Sequence, residues 1–154
     1  MPTESKEVNI IFRITDISVK KFDLTHFDLP ADSPEVDYQF ALKSLSKIDL
    51  ESKSISIINF VEVFLDKEQT KKIIDFETEI KYSIKNFDEI STKQENVVHV
   101  PEVVVKTFLG VSISTVRGIL YSRTVDSEYK KVYLPVIDIS KLTPKVIDLK
   151  ELNL

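Results

Sequence analysis

Four segments of the chain alternate apolar and polar residues, and no other feature constrains the fold as strongly. The clearest spans residues 36–43, and two more follow at residues 55–65 and 74–84. Such alternation is typical of β-strands that bury one face. Short polar connections join these three segments, whereas a parallel crossover would need about a dozen linking residues or more. The sequence therefore predicts an antiparallel meander.

The remaining segment, residues 8–19, predicts a long strand with an irregularity. Its apolar side chains occupy even positions up to Ile14 and resume at Ile17 and Val19 on the opposite parity. A change of parity within one extended run indicates a β-bulge. We place this bulge near Thr15 and Asp16.

A helical region follows the strands. Between Pro101 and Thr124, apolar residues recur at spacings of three and four, which favours one or two helices. Many of them are β-branched, so a strand is the alternative. Ser140 could cap a last short helix, which Pro144 would interrupt. The fold class is therefore α+β, with long antiparallel strands followed by helices.

Length and composition predict one domain. The chain has 154 residues, of which we expect residues 1–7 to form a flexible leader and residues 8–154 a single domain. No apolar run approaches the roughly 18 residues of a membrane-spanning helix, so membrane insertion is not expected. Cysteine is absent, which excludes disulfides and thiolate metal sites and fits a cytoplasmic location.

The same composition argues against several kinds of function. A formal charge of −4 gives no electrostatic footprint for a nucleic-acid partner. The only glycines, Gly110 and Gly118, cannot build a Gly-rich phosphate-binding loop, and no cofactor is predicted. The two histidines, His26 and His99, lack partners at metal-ligand spacing.

Acidic residues on the fourth predicted strand offer the nearest approach to a catalytic or cation site. Asp75, Glu77 and Glu79 share one face of that strand. A solvated face is the simpler interpretation. We therefore predict that the chain is not an enzyme.

The order of several short strings resembles the bacterial export chaperone SecB and its relatives. The resemblance covers roughly residues 8–142, and each string is weakly specific, so their shared order is what supports it. The strings are Phe12-Arg13-Ile14-Thr15-Asp16-Ile17-Ser18-Val19, Pro34-Glu35-Val36, Tyr82-Ser83-Ile84, Tyr121-Ser122-Arg123 and Leu134-Pro135-Val136-Ile137-Asp138.

This resemblance implies a four-stranded antiparallel sheet with helices on one face, assembled into a homotetramer as a dimer of dimers. It further implies a holdase chaperone that binds unfolded or export-bound polypeptides in apolar grooves without catalysis. The candidate client-binding residues are Phe27, Val36, Tyr38, Phe40, Leu42, Phe60 and Val63.

The resemblance leaves the partner open. In the export chaperone an acidic residue that follows its Asp-Ile-Ser string helps contact the translocase motor; this chain keeps the Asp of that string, Asp16, and we take it as a possible partner contact. Lys20 stands where that family has an acidic residue, so an antitoxin client is as consistent with the sequence as the motor.

Two other functions fit the same pattern. A small apolar-ligand carrier would enclose a cavity of about 300 Å³ or more between sheet and helix. A purely structural homo-oligomer would use its apolar faces only for self-association.

Overall fold

Four long strands form most of the main sheet. The structure, a computed structural model, describes residues 7, 9–29, 36–95, 97–129 and 131–142 and the backbone of residues 145–148. The strands are β1 (Phe12–Leu24), β2 (Gln39–Asp49), β3 (Ser54–Phe64) and β4 (Lys72–Ile84). Strand β1 pairs with β4, β4 with β3 and β3 with β2, all antiparallel. The predicted four-stranded antiparallel sheet is confirmed. The predicted leader lies outside the described residues, apart from Glu7.

Shorter elements follow the strands. Helix α1 (Phe87–Ile90) leads into a small hairpin of β5 (Thr92–Gln94) and β6 (Val97–His99). The long helix α2 (Glu102–Thr124) comes next, so the helical interpretation of this region is confirmed and its strand alternative is wrong. Strand β7 (Lys145–Asp148) then joins the sheet beside β2, in parallel.

The predicted last helix does not form beyond a single turn. Residues Ile139–Lys141 make a 3-10 turn, closed by the N–H of Lys141 on the carbonyl of Asp138. The cap is Asp138 rather than Ser140, since its carboxylate accepts the backbone N–H of Ser140 at 3.0 Å.

The bulge predicted in the first strand is present. Ile14 lies opposite Tyr82 and Asp16 lies opposite Lys81, so Thr15 is the additional residue. The parity of β1 changes there, which keeps Ile14 and Ile17 on the same face of the sheet.

Helix α2 packs on one face of the sheet, here called the helix-side face. Tyr82 of β4 stacks on Phe108 of α2 with ring centroids 4.3 Å apart. The Tyr82 hydroxyl donates to the Phe108 carbonyl at 3.1 Å and shares a hydrogen bond with the Ser112 hydroxyl at 2.6 Å. These buried groups fix the helix against the centre of the sheet.

The other face of the sheet, here called the open face, carries the acidic residues of β4. Asp75, Glu77 and Glu79 all lie on it, half-buried. Lys21 binds Asp75 at 2.8 Å, and Lys20 lies 3.6 Å from Glu79. Ion pairs with lysines thus account for two of these three carboxylates.

By length and composition alone, α2 could span a membrane. Its most apolar 18-residue window has a mean hydropathy of 1.6, and 44% of that window is buried inside the domain. Packing on the sheet gives these apolar residues a partner within the chain, as in other core helices.

The segment after α2 is a packed tail rather than an edge strand. Val132 and Leu134 are buried in the core. Arg117 of α2 donates to the carbonyls of Leu134 at 2.9 Å and Pro135 at 3.0 Å. The tail is therefore held along the helix.

Candidate functional site

An open cleft of about 270 Å³ lies at the end of the sheet, where β1 ends and β3 turns into β4. Three separate stretches of chain contribute to it, and its wall is apolar with charged groups at the rim. The apolar lining residues are Phe27, Leu29, Val36 and Leu65, and the charged ones are Asp28, Asp66 and Lys71.

The stretch that carries Phe27 is fixed by a buried tyrosine. Tyr129, which follows α2, donates its hydroxyl to the carbonyl of Thr25 at 2.7 Å and accepts the N–H of Phe27 at 2.8 Å. Burial raises the pKa of Tyr129, so the hydroxyl keeps the proton that it donates. A hydrogen bond between His26 Nδ1 and the Glu128 carboxylate lies beside it. This side of the cleft is therefore preformed.

The opposite side is the turn between β3 and β4. Asp66 accepts the backbone N–H groups of Thr70 at 3.0 Å and Lys71 at 2.9 Å. The Thr70 hydroxyl also bonds Asp66, and with these N–H groups it holds the pKa of that carboxyl below its usual range. Asp66 therefore carries a negative charge at the rim of the cleft at neutral pH.

The cleft continues into the outer edge of β2. Val36 lines the cleft, and the chain runs from it through Tyr38 into β2. Strand β7 pairs with β2 only from Leu45 to Ile48. Within the described part of the chain, no strand covers the outer edge of residues 39–44. Cleft and free edge thus form one surface, here called the β2 surface.

The structure brings two of the predicted client-binding residues together in the cleft. Phe27 and Val36 line the cleft. Phe60 lies on the open face, where the Lys43 ammonium is 6.0 Å from its ring centroid. Val63 lies in the core and is 0% exposed, so it offers no surface in this chain. Three more, half-buried and packed against the core, lie on or just before β2: Tyr38, Phe40 and Leu42.

Two apolar lining residues, Leu29 and Leu65, were not predicted, and neither were the three charged ones. Leu65 follows the last residue of β3, and Leu29 lies in the loop after β1. The predicted strand at residues 55–65 included Leu65, but strand periodicity does not tell which residues near a strand end line a cleft. Their only sequence signal is an apolar residue beside a polar turn, which is too common to single them out.

Asp16 lies on the open face, away from the β2 surface. Its carboxylate accepts the Ser18 hydroxyl at 2.6 Å, and it pairs in register with Lys81. Its role as a partner contact stays a prediction.

A second exposed apolar region lies along β1. Ile11, Phe12, Ile14 and Ile17 are 50%, 37%, 41% and 48% exposed. Strand β1 is the last strand on its side of the sheet, so its outer backbone groups have no strand partner among the described residues. An apolar edge of this length is prone to associate with another strand.

No metal-binding arrangement is found in the described ranges. There, no group of three or more His, Asp and Glu residues could hold an ion.

Comparison with known proteins shows which solved structures share this fold. No protein-family model matches the sequence, and no curated protein matches it. A solved structure does match: the Mycobacterium tuberculosis SecB-like chaperone Rv1957, in complex with a ChAD peptide from the antitoxin Rv1956 HigA1. The two chains are 13% identical and superpose with a TM-score of 0.61, over 82% of this chain and 91% of the other. The fold is SecB-like.

The SecB-like fold confirms, at the level of architecture, the resemblance found in the sequence. A protein of unknown function from Streptococcus agalactiae also matches, with 13% identity and a TM-score of 0.43 over 84% of this chain and 100% of the other.

Proposed function

We propose that this chain is a SecB-like holdase that binds unfolded or export-bound polypeptides without catalysis. The observation that supports this most directly is the β2 surface, in which an apolar cleft adjoins a free strand edge. An unfolded chain offers the complementary groups, namely apolar side chains and unpaired backbone N–H and C=O groups. Binding them reversibly lowers the free concentration of aggregation-prone chain.

Charge at the cleft favours clients with basic flanks. Among the described residues that line the cleft, two are acidic, Asp28 and Asp66, and one is basic, Lys71. The formal charge of the whole chain, −4, has the same sign and helps to keep a loaded complex in solution.

Among partner classes, an antitoxin peptide has more support than a translocase motor. The SecB-like neighbour was solved with an antitoxin peptide. In this chain Lys20, which reverses the charge expected for motor contact, pairs with Glu79 on the open face. A cytoplasmic location belongs to the same proposal.

We also propose that the protein assembles into a homotetramer, as a dimer of dimers. The free edge of β1 and its exposed Ile14 and Ile17 provide one surface for a second copy. The outer side of α2, with Val103 54% and Tyr121 45% exposed, provides another.

A ligand carrier has less support. Its cavity would lie between the sheet and α2, where Phe76, Ile80 and Tyr82 meet Phe108 and Val116, all of them buried in one core cluster. The cleft beside Phe27 and Val36 is open at the surface rather than enclosed between sheet and helix.

The holdase proposal is tested by light scattering of a chemically unfolded malate dehydrogenase diluted into buffer. We expect the wild-type protein at a few-fold excess to suppress aggregation. Val36→Asp places a charge in the cleft and is expected to suppress it less. Val136→Asp makes the same change at a site that is 95% exposed, and is expected to match the wild type.

The outcomes separate the alternatives. Absence of suppression by a monomeric wild-type protein would contradict both the holdase and the assembly. Absence of suppression by an oligomeric one would favour the purely structural homo-oligomer.

Assembly is tested by molar mass from light scattering. Ile17→Asp puts a charge on the β1 edge and is expected to lower the mass. Leu50→Asp is the matched control, because Leu50 in the β2–β3 turn is also 48% exposed. An unchanged mass for Ile17→Asp would exclude this edge as an interface.

A further inference from the structure

Strand β7 differs from every other strand of the main sheet. It has four residues and pairs in parallel with β2, from Leu45 opposite Lys145 to Ile48 opposite Asp148. All other described strand pairs are antiparallel and, except for the small β5–β6 hairpin, longer. Parallel pairing is slightly less stable per residue, and a four-residue edge strand makes few hydrogen bonds. The pairing of β7 is therefore the weakest in this sheet.

Its position shows what the edge of β2 accepts. An extended segment of backbone already lies there, joined to the rest of the domain through the 3-10 turn at Ile139–Lys141. The adjoining residues 39–44 have no strand partner in the part of the chain that the structure describes, and the cleft opens beyond them. A longer extended segment could therefore occupy the cleft, the free half of the edge and the place of β7 in one continuous run.

We propose that an extended peptide, apolar at alternate positions and basic at one flank, docks along the outer edge of β2 and displaces β7. This inference rests on the proposed holdase function and adds where the peptide lies and which segment leaves. The peptide places an apolar side chain between Phe27 and Val36, with its basic flank near Asp28 and Asp66. Strand β7 acts as a built-in competitor that covers residues 45–48 of the edge when no client is bound.

The first test weakens β7 by removing its backbone donors. The double variant Val146→Pro, Ile147→Pro has lost two N–H groups within β7. The probe is fluorescently labelled α-lactalbumin, reduced and carboxymethylated so that it stays unfolded. If β7 leaves the edge of β2 free about a tenth of the time in the wild type, then weakening β7 should tighten binding of the probe about tenfold. Val146→Ala, Ile147→Ala keeps both N–H groups and is the matched control, expected to bind less tightly than the proline variant.

The second test locks β7 in place. The natural chain has no cysteine, so Lys47→Cys, Ile147→Cys introduces a single pair at positions that are partners in the register. We expect the oxidised form to bind the probe at least about tenfold more weakly, and a reductant to restore binding. The single variant Lys47→Cys controls for the loss of the lysine.

The results distinguish this inference from the function on which it rests. Equal binding by the oxidised, reduced and proline forms would overturn the displacement of β7 and leave the holdase intact. Failure of the cysteine pair to cross-link would also overturn it, since β7 would not lie on β2. Absence of probe binding by every form, the wild type included, would overturn both proposals.

Discussion

Three polar atoms in the core have no hydrogen-bond partner among the described residues: Ser46 Oγ, Asn59 Nδ2 and Thr78 Oγ1. Asn59 and Thr78 are neighbours in register on the helix-side face and are both 0% exposed. The Ser44 hydroxyl donates to Asn59 Oδ1 at 2.7 Å, so that side chain is half satisfied. A polar row therefore crosses an otherwise apolar layer, and it costs stability because buried polar groups lose their hydration.

Removing one of these polar atoms is expected to stabilise the domain. Thr78→Val preserves the shape of the side chain and deletes an unpaired hydroxyl, so the free energy of unfolding should rise by about 1 kcal/mol. Urea denaturation followed by circular dichroism measures it. Thr70→Val is the matched control: it deletes a hydroxyl that bonds Asp66 and should lower the free energy of unfolding. A loss in Thr78→Val would show that its hydroxyl is satisfied.

At the scale of elements, the strands and the main helix followed from residue periods, since a one-residue slip would turn a buried face to solvent. The bulge at Thr15 followed from a change of parity. Strand β7 did not follow, because four residues show no clear period and Lys145 pairs with Leu45, far away in the sequence. Periodicity also could not say which face of β3 carries the helix, so Val63 of the core and Phe60 of the open face were predicted as one site.

The two glycines of α2 differ in their surroundings, so replacing each by alanine should change the stability by different amounts. A Cβ at Gly118 would meet nothing within 4 Å, whereas a Cβ at Gly110 would lie 2.9 Å from Ile139 Cδ1. Gly118→Ala should raise the free energy of unfolding by about 0.5–1 kcal/mol through helix propensity. Gly110→Ala should raise the free energy of unfolding by less, because the Ile139 side chain must move to make room for the new Cβ. Thermal unfolding of both variants tests this, and equal gains would contradict the contact at Gly110.

For the whole molecule, we expect a loss of stability at alkaline pH, because three tyrosines are buried or half-buried. Burial raises the pKa values of Tyr38, Tyr82 and Tyr129 above 10.0, the usual value. Above about pH 10 the unfolded chain has released protons that the folded chain still holds, so the free energy of unfolding falls as pH rises. Urea midpoints between pH 8 and 11 should fall only in the upper part of that range.

Two lysines also make the free energy of unfolding fall as the pH rises. Hydrogen bonds to Asp75 and Glu62 raise the pKa values of Lys21 and Lys72 respectively. Tyr82→Phe isolates the share of one tyrosine: its midpoint should fall less steeply with pH than that of the wild type. An unchanged slope would mean that Tyr82 does not resist ionisation in the folded state. Tyr133→Phe, at a tyrosine that is 54% exposed, controls for the substitution itself.

The pairing of β1 with β4 has a consequence for synthesis. The paired residues are 50 to 72 positions apart, from Leu24 with Ile74 to Phe12 with Ile84. Strand β1 leaves the ribosome first, yet its partner is the last of the four long strands to appear. At usual translation rates this delay is roughly 3 to 14 s. During that time the nascent chain displays an apolar strand with both edges unpaired, so the protein is itself, briefly, the kind of chain that a holdase binds.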